Sequence, residues 1–117
     1  MNKRTVGTNK EKFAAAYLQK QGVRITEHSF RVRQGEIDLI GYDGEVLVFF
    51  EVKYRKNAAY GFPQEAVDRR KQSQISKVAV FYLNYRKIPR NTPMRFDVVA
   101  ILGREVTWIR NAFEMRM

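Results

Sequence analysis

Residues 35–55 read GEIDLIGYDGEVLVFFEVKYR, with apolar runs on both sides of Asp43-Gly44. An Asp-Gly pair flanked by such runs is the strongest short-range signal of a β-hairpin. A lone hairpin is not stable in water, so the rest of the chain must extend and cover it. With Asp43-Gly44 as the turn, Tyr42 pairs with Glu45, Asp38 faces Phe49 and Glu36 faces Glu51. Side chains alternate between faces along a strand. One face then carries Ile37, Leu39, Val46, Val48, Phe50 and Val52. The other carries Glu36, Asp38, Ile40, Leu47, Phe49, Glu51 and Lys53.

This second face is apolar near the turn and charged at its far end. Asp38 and Glu51 become diagonal neighbours, about 7–8 Å apart at the backbone. Two carboxylates at that distance repel, and a positive group between them relieves it. Lys53 is one candidate and a divalent cation is another. A donor set of carboxylate oxygens suits hard cations such as Mg²⁺ or Mn²⁺ rather than Zn²⁺. The plainer reading is a solvated polar face balanced by Lys53. Leu47 and Phe49 on the same face weigh against it, because they need cover and ionised groups under cover need a reason to be there.

The remaining sequence supplies that cover. Thr8 and Glu11 have capping-box spacing, which predicts a first helix from about Thr8 and leaves residues 1–7 as a loose basic arm. Phe13, Ala14, Tyr17 and Leu18 give its apolar stripe, and Gly22 its stop. Val23 to Val32 reads as a strand, and the hairpin strands as Gly35 to Gly41 and Glu45 to Tyr54. After a loop at 55–62, Pro63 suits the first turn of a second helix running to about Tyr85. Ile75, Val78, Ala79, Tyr82 and Leu83 form its buried stripe, and Arg69, Arg70, Lys71 and Lys77 a basic face. Met94 to Leu102 and about Glu105 to Arg110 complete the strands. The order αβββαββ is an α/β (α+β) fold, a mixed central sheet flanked by helices. With 117 residues it forms one domain spanning 1–117.

Charge points to a partner. Lys and Arg outnumber Asp and Glu by 22 to 12, a formal charge of +10, which favours nucleic acid over a membrane surface. There is no cysteine, so disulfides and thiolate zinc sites are excluded. The basic start lacks the apolar run of a signal peptide, and VLVFF is too short to span a bilayer. A cytoplasmic protein without a membrane partner is expected.

Asp38 followed by Glu51-Val52-Lys53, with twelve residues between Asp38 and Glu51, resembles the PD-(D/E)xK nucleases. The longer match is more specific. GEIDLI, FFEVKYR, GFPQEAVDRRKQ and RFDVV follow one another as in the YraN family, bacterial proteins similar to archaeal Holliday-junction resolvases. The resemblance covers Gly7 to about Leu102. Ser29 stands where that family usually has Asn.

The resemblance implies a restriction-endonuclease-like fold and a metal-dependent nuclease acting on DNA, including branched DNA. Asp38, Glu51 and the Val52 carbonyl would hold Mg²⁺ or Mn²⁺. Lys53, a cation among acids, would orient water or hold phosphate oxygens by charge. In such relatives a glutamate of the first helix joins the site, a position matched by Glu11; the other reading of Glu11 is capping partner to Thr8. Glu36 is either a site member or a solvated strand-end residue. Gln64 is either an orienting amide or a helix-start surface residue. Arg31, Arg33, Arg55, Lys56, Arg69, Arg70 and Lys71 flank the site and would hold the DNA backbone, a salt-sensitive contact blind to sequence. Tyr54 and Tyr60 could stack on bases but suit packing better. Asp97 suits pairing with Arg95 or Arg31. By analogy with two-fold symmetric junctions the implied assembly is a homodimer. The alternative function is a nucleic-acid-binding module of nuclease fold that does not cut alone.

Overall fold

A computed structural model describes residues 3–59, 61, 62 and 67–117, the first helix by its backbone alone up to residue 8. The elements are α1 (Lys3–Lys20), β1 (Arg24–Val32), β2 (Gly35–Asp43), β3 (Val46–Arg55), α2 (Arg69–Tyr85), β4 (Met94–Leu102) and β5 (Glu105–Phe113). The order αβββαββ and the mixed sheet agree with the expected fold. The five strands lie in the order β1-β2-β3-β4-β5. Only β3 and β4 run parallel, as a strand–helix–strand crossover requires.

That parallel pair forms the middle of the core. FFEV and FDVVAI are near-continuous apolar runs because both of their faces are covered. On one face Leu47, Phe49, Phe96 and Val98 pack against Ile75, Val78, Ala79 and Tyr82 of α2. On the other, Val48, Phe50, Val99 and Ile101 pack against Ala14, Ala15 and Leu18 of α1. Each helix therefore lies on its own side of the sheet, and both acids of the hairpin lie between layers.

Three boundaries differ most from the sequence reading. The first helix starts at Lys3, so residues 3–7 are helical rather than a loose arm, and Glu11 lies in the helix interior instead of capping it. The second helix starts at Arg69, where Asp68 is the N-cap and its carboxylate accepts the Lys71 N–H at 3.0 Å. Pro63, Gln64 and Tyr60 lie outside the described residues. The last strand runs three residues longer, to Phe113. One aromatic residue also leaves the expected core: Phe13 is 47% exposed.

The hairpin register is the consequential difference. Asp43 pairs with Val46, so the two loop residues are Gly44 and Glu45. Gly44 has φ +61°, and a positive φ at the first loop position alone is the type II′ pattern, which glycine satisfies best. The turn centre moves by one residue, and every β2 residue meets a partner two positions further along β3. Leu39 pairs with Phe50 as the last pair of the regular ladder, and one further step in that register would bring Asp38 to Glu51 rather than Phe49.

Candidate functional site

At Asp38 the regular ladder between β2 and β3 stops. Its carboxylate takes over, accepting the Val52 N–H at 2.8 Å. Across β1 the pairs His28 with Leu39 and Phe30 with Ile37 bracket Ser29, which has φ +52°. A non-glycine residue in that region marks local strain. The break also changes the faces. Ile37 and Ile40 both pack on the α2 side, while Leu39 packs on the α1 side. The expected strict alternation, with Ile37 and Leu39 together, therefore fails at Asp38, where the chain departs from the pleat.

The break draws three acids together. Glu11, Glu36 and Asp38 each bring a carboxylate oxygen within 4.8 Å of the others. Glu11 reaches the cluster from α1 and accepts a hydrogen bond from Ser29 Oγ at 2.7 Å. Partial burial raises the Glu11 carboxyl above its ordinary range; the Ser29 bond opposes this and Asp38 adds to it. Glu36 is held by Arg31 through bonds of 2.7 and 3.1 Å. Asp38 is raised well above the usual aspartate value, first by burial and then by the charge of Glu51.

Glu51 lies on the α2 side of β3 and is only 5% exposed. Lys53 Nζ is 3.9 Å from its Oε1 and Lys71 Nζ 3.9 Å from its Oε2. Neither distance is a hydrogen bond. Among the described residues Oε2 is the one buried side-chain oxygen or nitrogen without a hydrogen-bond partner. Such a group costs free energy unless something satisfies it. Glu11, Glu36 and Asp38 form an oxygen-only group, chemistry that fits Mg²⁺ or Mn²⁺, and Glu51 lies next to Asp38 outside that group. Of the residues the sequence suggested, Glu11, Glu36 and Asp38 are thus grouped, while Glu51 neighbours Asp38 and carries Lys53 and Lys71 beside it.

The expected DNA-binding cations separate. Arg70 and Lys71 line an open groove of about 740 Å³ with Gln34, Asp68, Ser73, Gln74 and Lys77. Arg31 is engaged by Glu36. Arg33 and Lys56 are exposed, and Arg55 is half-buried with its carbonyl accepting the Gly103 N–H. Arg69 is exposed outside the groove lining. Tyr54 packs against the α1 cluster with Lys10 Nζ 4.1 Å above its ring, the packing role expected of it.

The sequence reading missed Gln34 and Gln74. Gln74 Nε2 donates to the Gln34 carbonyl, and the Gln74 side chain lies where a Cβ on Gly35 would be, 2.8 Å away. The glycine that opens GEIDLI is the available signal, since a strand-end glycine marks a close approach. Asp97 is buried and bonded to Arg95, as expected, and also to Trp108 Nε1.

Residues 10–101 match the model of the uncharacterised protein family UPF0102, the YraN family. The chain is similar to a UPF0102 protein of Lachnoclostridium phytofermentans, 46% identical over 97% of both chains. It is likewise similar to UPF0102 proteins of Colwellia psychrerythraea (45%) and Vibrio campbellii (46%), each over 95% of this chain and 93% of the relative.

Proposed function

The chain belongs to the UPF0102 family, and we infer that it is a metal-dependent nuclease hydrolysing DNA phosphodiester bonds. The observation that carries this reading is the buried, unpartnered Glu51 Oε2 next to an Asp38 whose acid form burial favours. A divalent cation would satisfy both groups at once. Asp38 and Glu51 would hold it, with the Val52 carbonyl as a further oxygen and Glu11 and Glu36 at the rim. The bound ion would acidify a water and offset charge on the phosphate.

The chain's own residues do the rest. Asp38 is fixed by the Val52 N–H, so its free oxygen has a set direction. Lys53 stands on the same face as Glu51 and is half-exposed, placed to meet a phosphate oxygen. Ser29 orients Glu11. Arg69, Arg70 and Lys71 occupy the first turn of α2, which contains no acid. Three cations at a helix N-terminus oppose the macrodipole, so this helix gives up stability there. In exchange it concentrates positive potential where a DNA backbone can bind. Branched DNA is the favoured substrate class by the family resemblance, with a homodimer as the matching assembly. No helix among the described residues is long and apolar enough to cross a membrane.

The test is cleavage of labelled single-stranded, duplex, flap and four-way-junction DNA in Mg²⁺, Mn²⁺ or EDTA. Wild type should cut only with metal. Asp38→Ala and Lys53→Ala should each lose at least about a hundredfold in rate, the usual scale for a group acting at developing charge. Binding without cutting in either metal would favour the binding-module reading instead. Cutting that survives both substitutions would refute the site.

A further inference from the structure

We propose that Lys71 is a movable counter-ion that couples metal binding to DNA binding, an inference that rests on the metal site proposed above. Lys71 belongs to two places at once. Its Nζ is 3.9 Å from the unpartnered Oε2 of Glu51, and its side chain also lines the open groove with Gln34, Arg70, Gln74 and Lys77. The backbone position is firm, because the Asp68 cap fixes the Lys71 N–H at the third residue of α2. The side chain is held at Glu51 by charge alone. No hydrogen bond ties it there, and 31% of it is exposed.

These facts give a two-position device. Without a divalent ion, Lys71 neutralises one oxygen of the buried glutamate and Lys53 the other. A divalent ion bound by Glu51 replaces that attraction with repulsion, since a cation now stands next to a cation. Lys71 then turns outward into the groove, whose lining includes Asp68 and where a DNA phosphate can receive it. Arg70 and Lys77 line that groove, so the released charge joins an existing pair. Metal occupancy thus raises DNA affinity, and by linkage DNA raises metal affinity. Lys53, on the same strand as Glu51 and two residues along, is not among the residues lining that groove.

The experiment uses the full chain and two readouts that do not require turnover. Mn²⁺ binding is measured by calorimetry. Binding of a fluorescent duplex is measured by anisotropy, at fixed ionic strength in EDTA and in Ca²⁺, with DNA integrity checked on a gel. Lys71→Gln should bind Mn²⁺ about tenfold more tightly than wild type, because a competing charge is gone. It should also lose most of the gain in DNA affinity that Ca²⁺ gives wild type. Arg70→Gln should weaken DNA binding by the same factor in both conditions. Unchanged or weaker Mn²⁺ binding by Lys71→Gln overturns the proposal. So does a loss of DNA affinity by Lys71→Gln that is equal with and without Ca²⁺. A wild type that binds no Mn²⁺, or Mn²⁺ binding that survives Glu51→Gln, overturns the metal site itself and this proposal with it.

Discussion

Asp97 on β4 and Glu51 on β3 are buried acids one register step apart across the parallel pair, where Phe50 meets Asp97 and Glu51 meets Val98. Asp97 is fully enclosed and fully answered. Arg95 Nε donates to both its oxygens at 3.0 and 3.1 Å, Trp108 Nε1 donates at 2.8 Å, and so does the Asn111 N–H. Arg95 in turn reaches Asp43 beside the hairpin turn. Glu51 has two lysines at 3.9 Å and an oxygen bonded to nothing. The same sheet and the same chemistry of side chain give one acid that ties strands together and one with an oxygen left without a hydrogen-bond partner. Hydrogen bonding, not burial, separates the two carboxylates.

Removing each acid should break the comparison most sharply. Asp97→Ala leaves the Trp108 and Asn111 N–H groups unanswered and Arg95 with Asp43 alone, a loss of about 3–5 kcal/mol. Against a total stability of roughly 5–15 kcal/mol, the thermal midpoint should fall by more than about 10 °C. Glu51→Gln in EDTA should cost nothing or stabilise slightly, since it removes a buried charge without a hydrogen-bonded partner. Calorimetric melts of both variants decide it. A Glu51→Gln loss as large as that of Asp97→Ala would mean the lysines satisfy Glu51 completely.

Metal should reverse the ranking of the two acids. At a hundred times its dissociation constant, Mn²⁺ bound only to the folded protein adds about 2.7 kcal/mol. Wild type should gain that stability in melts with Mn²⁺, and chelation should remove it. Glu51→Gln and Asp38→Asn should gain little. A variant at Asp97 mild enough to fold, Asp97→Asn, should keep the full Mn²⁺ gain. Loss of the gain in Asp97→Asn would place the ion elsewhere.

The contrast between these acids was only half visible in the sequence. Asp97 sits in RFDVV with Arg95 two residues earlier, and its pairing could be read from that spacing. The strands, the element order, the α2 stripe and the α1 stripe apart from Phe13 followed from apolar periodicity, because burial on a sheet leaves a period that survives in one dimension. Registers do not leave such a trace. Asp43-Gly44 names a turn, but the backbone places the positive φ at Gly44 as the first loop residue, and that single step moved Asp38 from Phe49 towards Glu51. The break in the pleat was not legible either, since it depends on Ser29 across the strand pair. Lys71 was legible as a cation but not as a neighbour of Glu51, because Asp68, not Pro63, starts the helix and sets its phase. Long-range pairings of side chains come from the packing of layers, and no local pattern encodes them.

The smallest predicted effect isolates Asp38, which stands between the two extremes with one hydrogen bond and with Glu51 and Glu36 as repelling neighbours. Burial, then Glu51, raises its carboxyl well above the ordinary aspartate value. The folded protein therefore holds this proton more tightly than the unfolded chain does. Stability from this group is complete at pH below the ordinary aspartate range and declines as pH rises towards the raised value. Asn at this position can still accept the Val52 N–H through its amide oxygen, but it never ionises. In EDTA, wild type and Asp38→Asn should melt together near pH 4. They should separate as pH rises to 7, with the variant more stable by roughly 1 kcal/mol. Urea unfolding across that range measures the gap directly. A gap that widens towards acid instead would mean Asp38 is stabilised as a carboxylate in the metal-free fold, and the strain attributed to the acid pair would then reside in Glu51 alone.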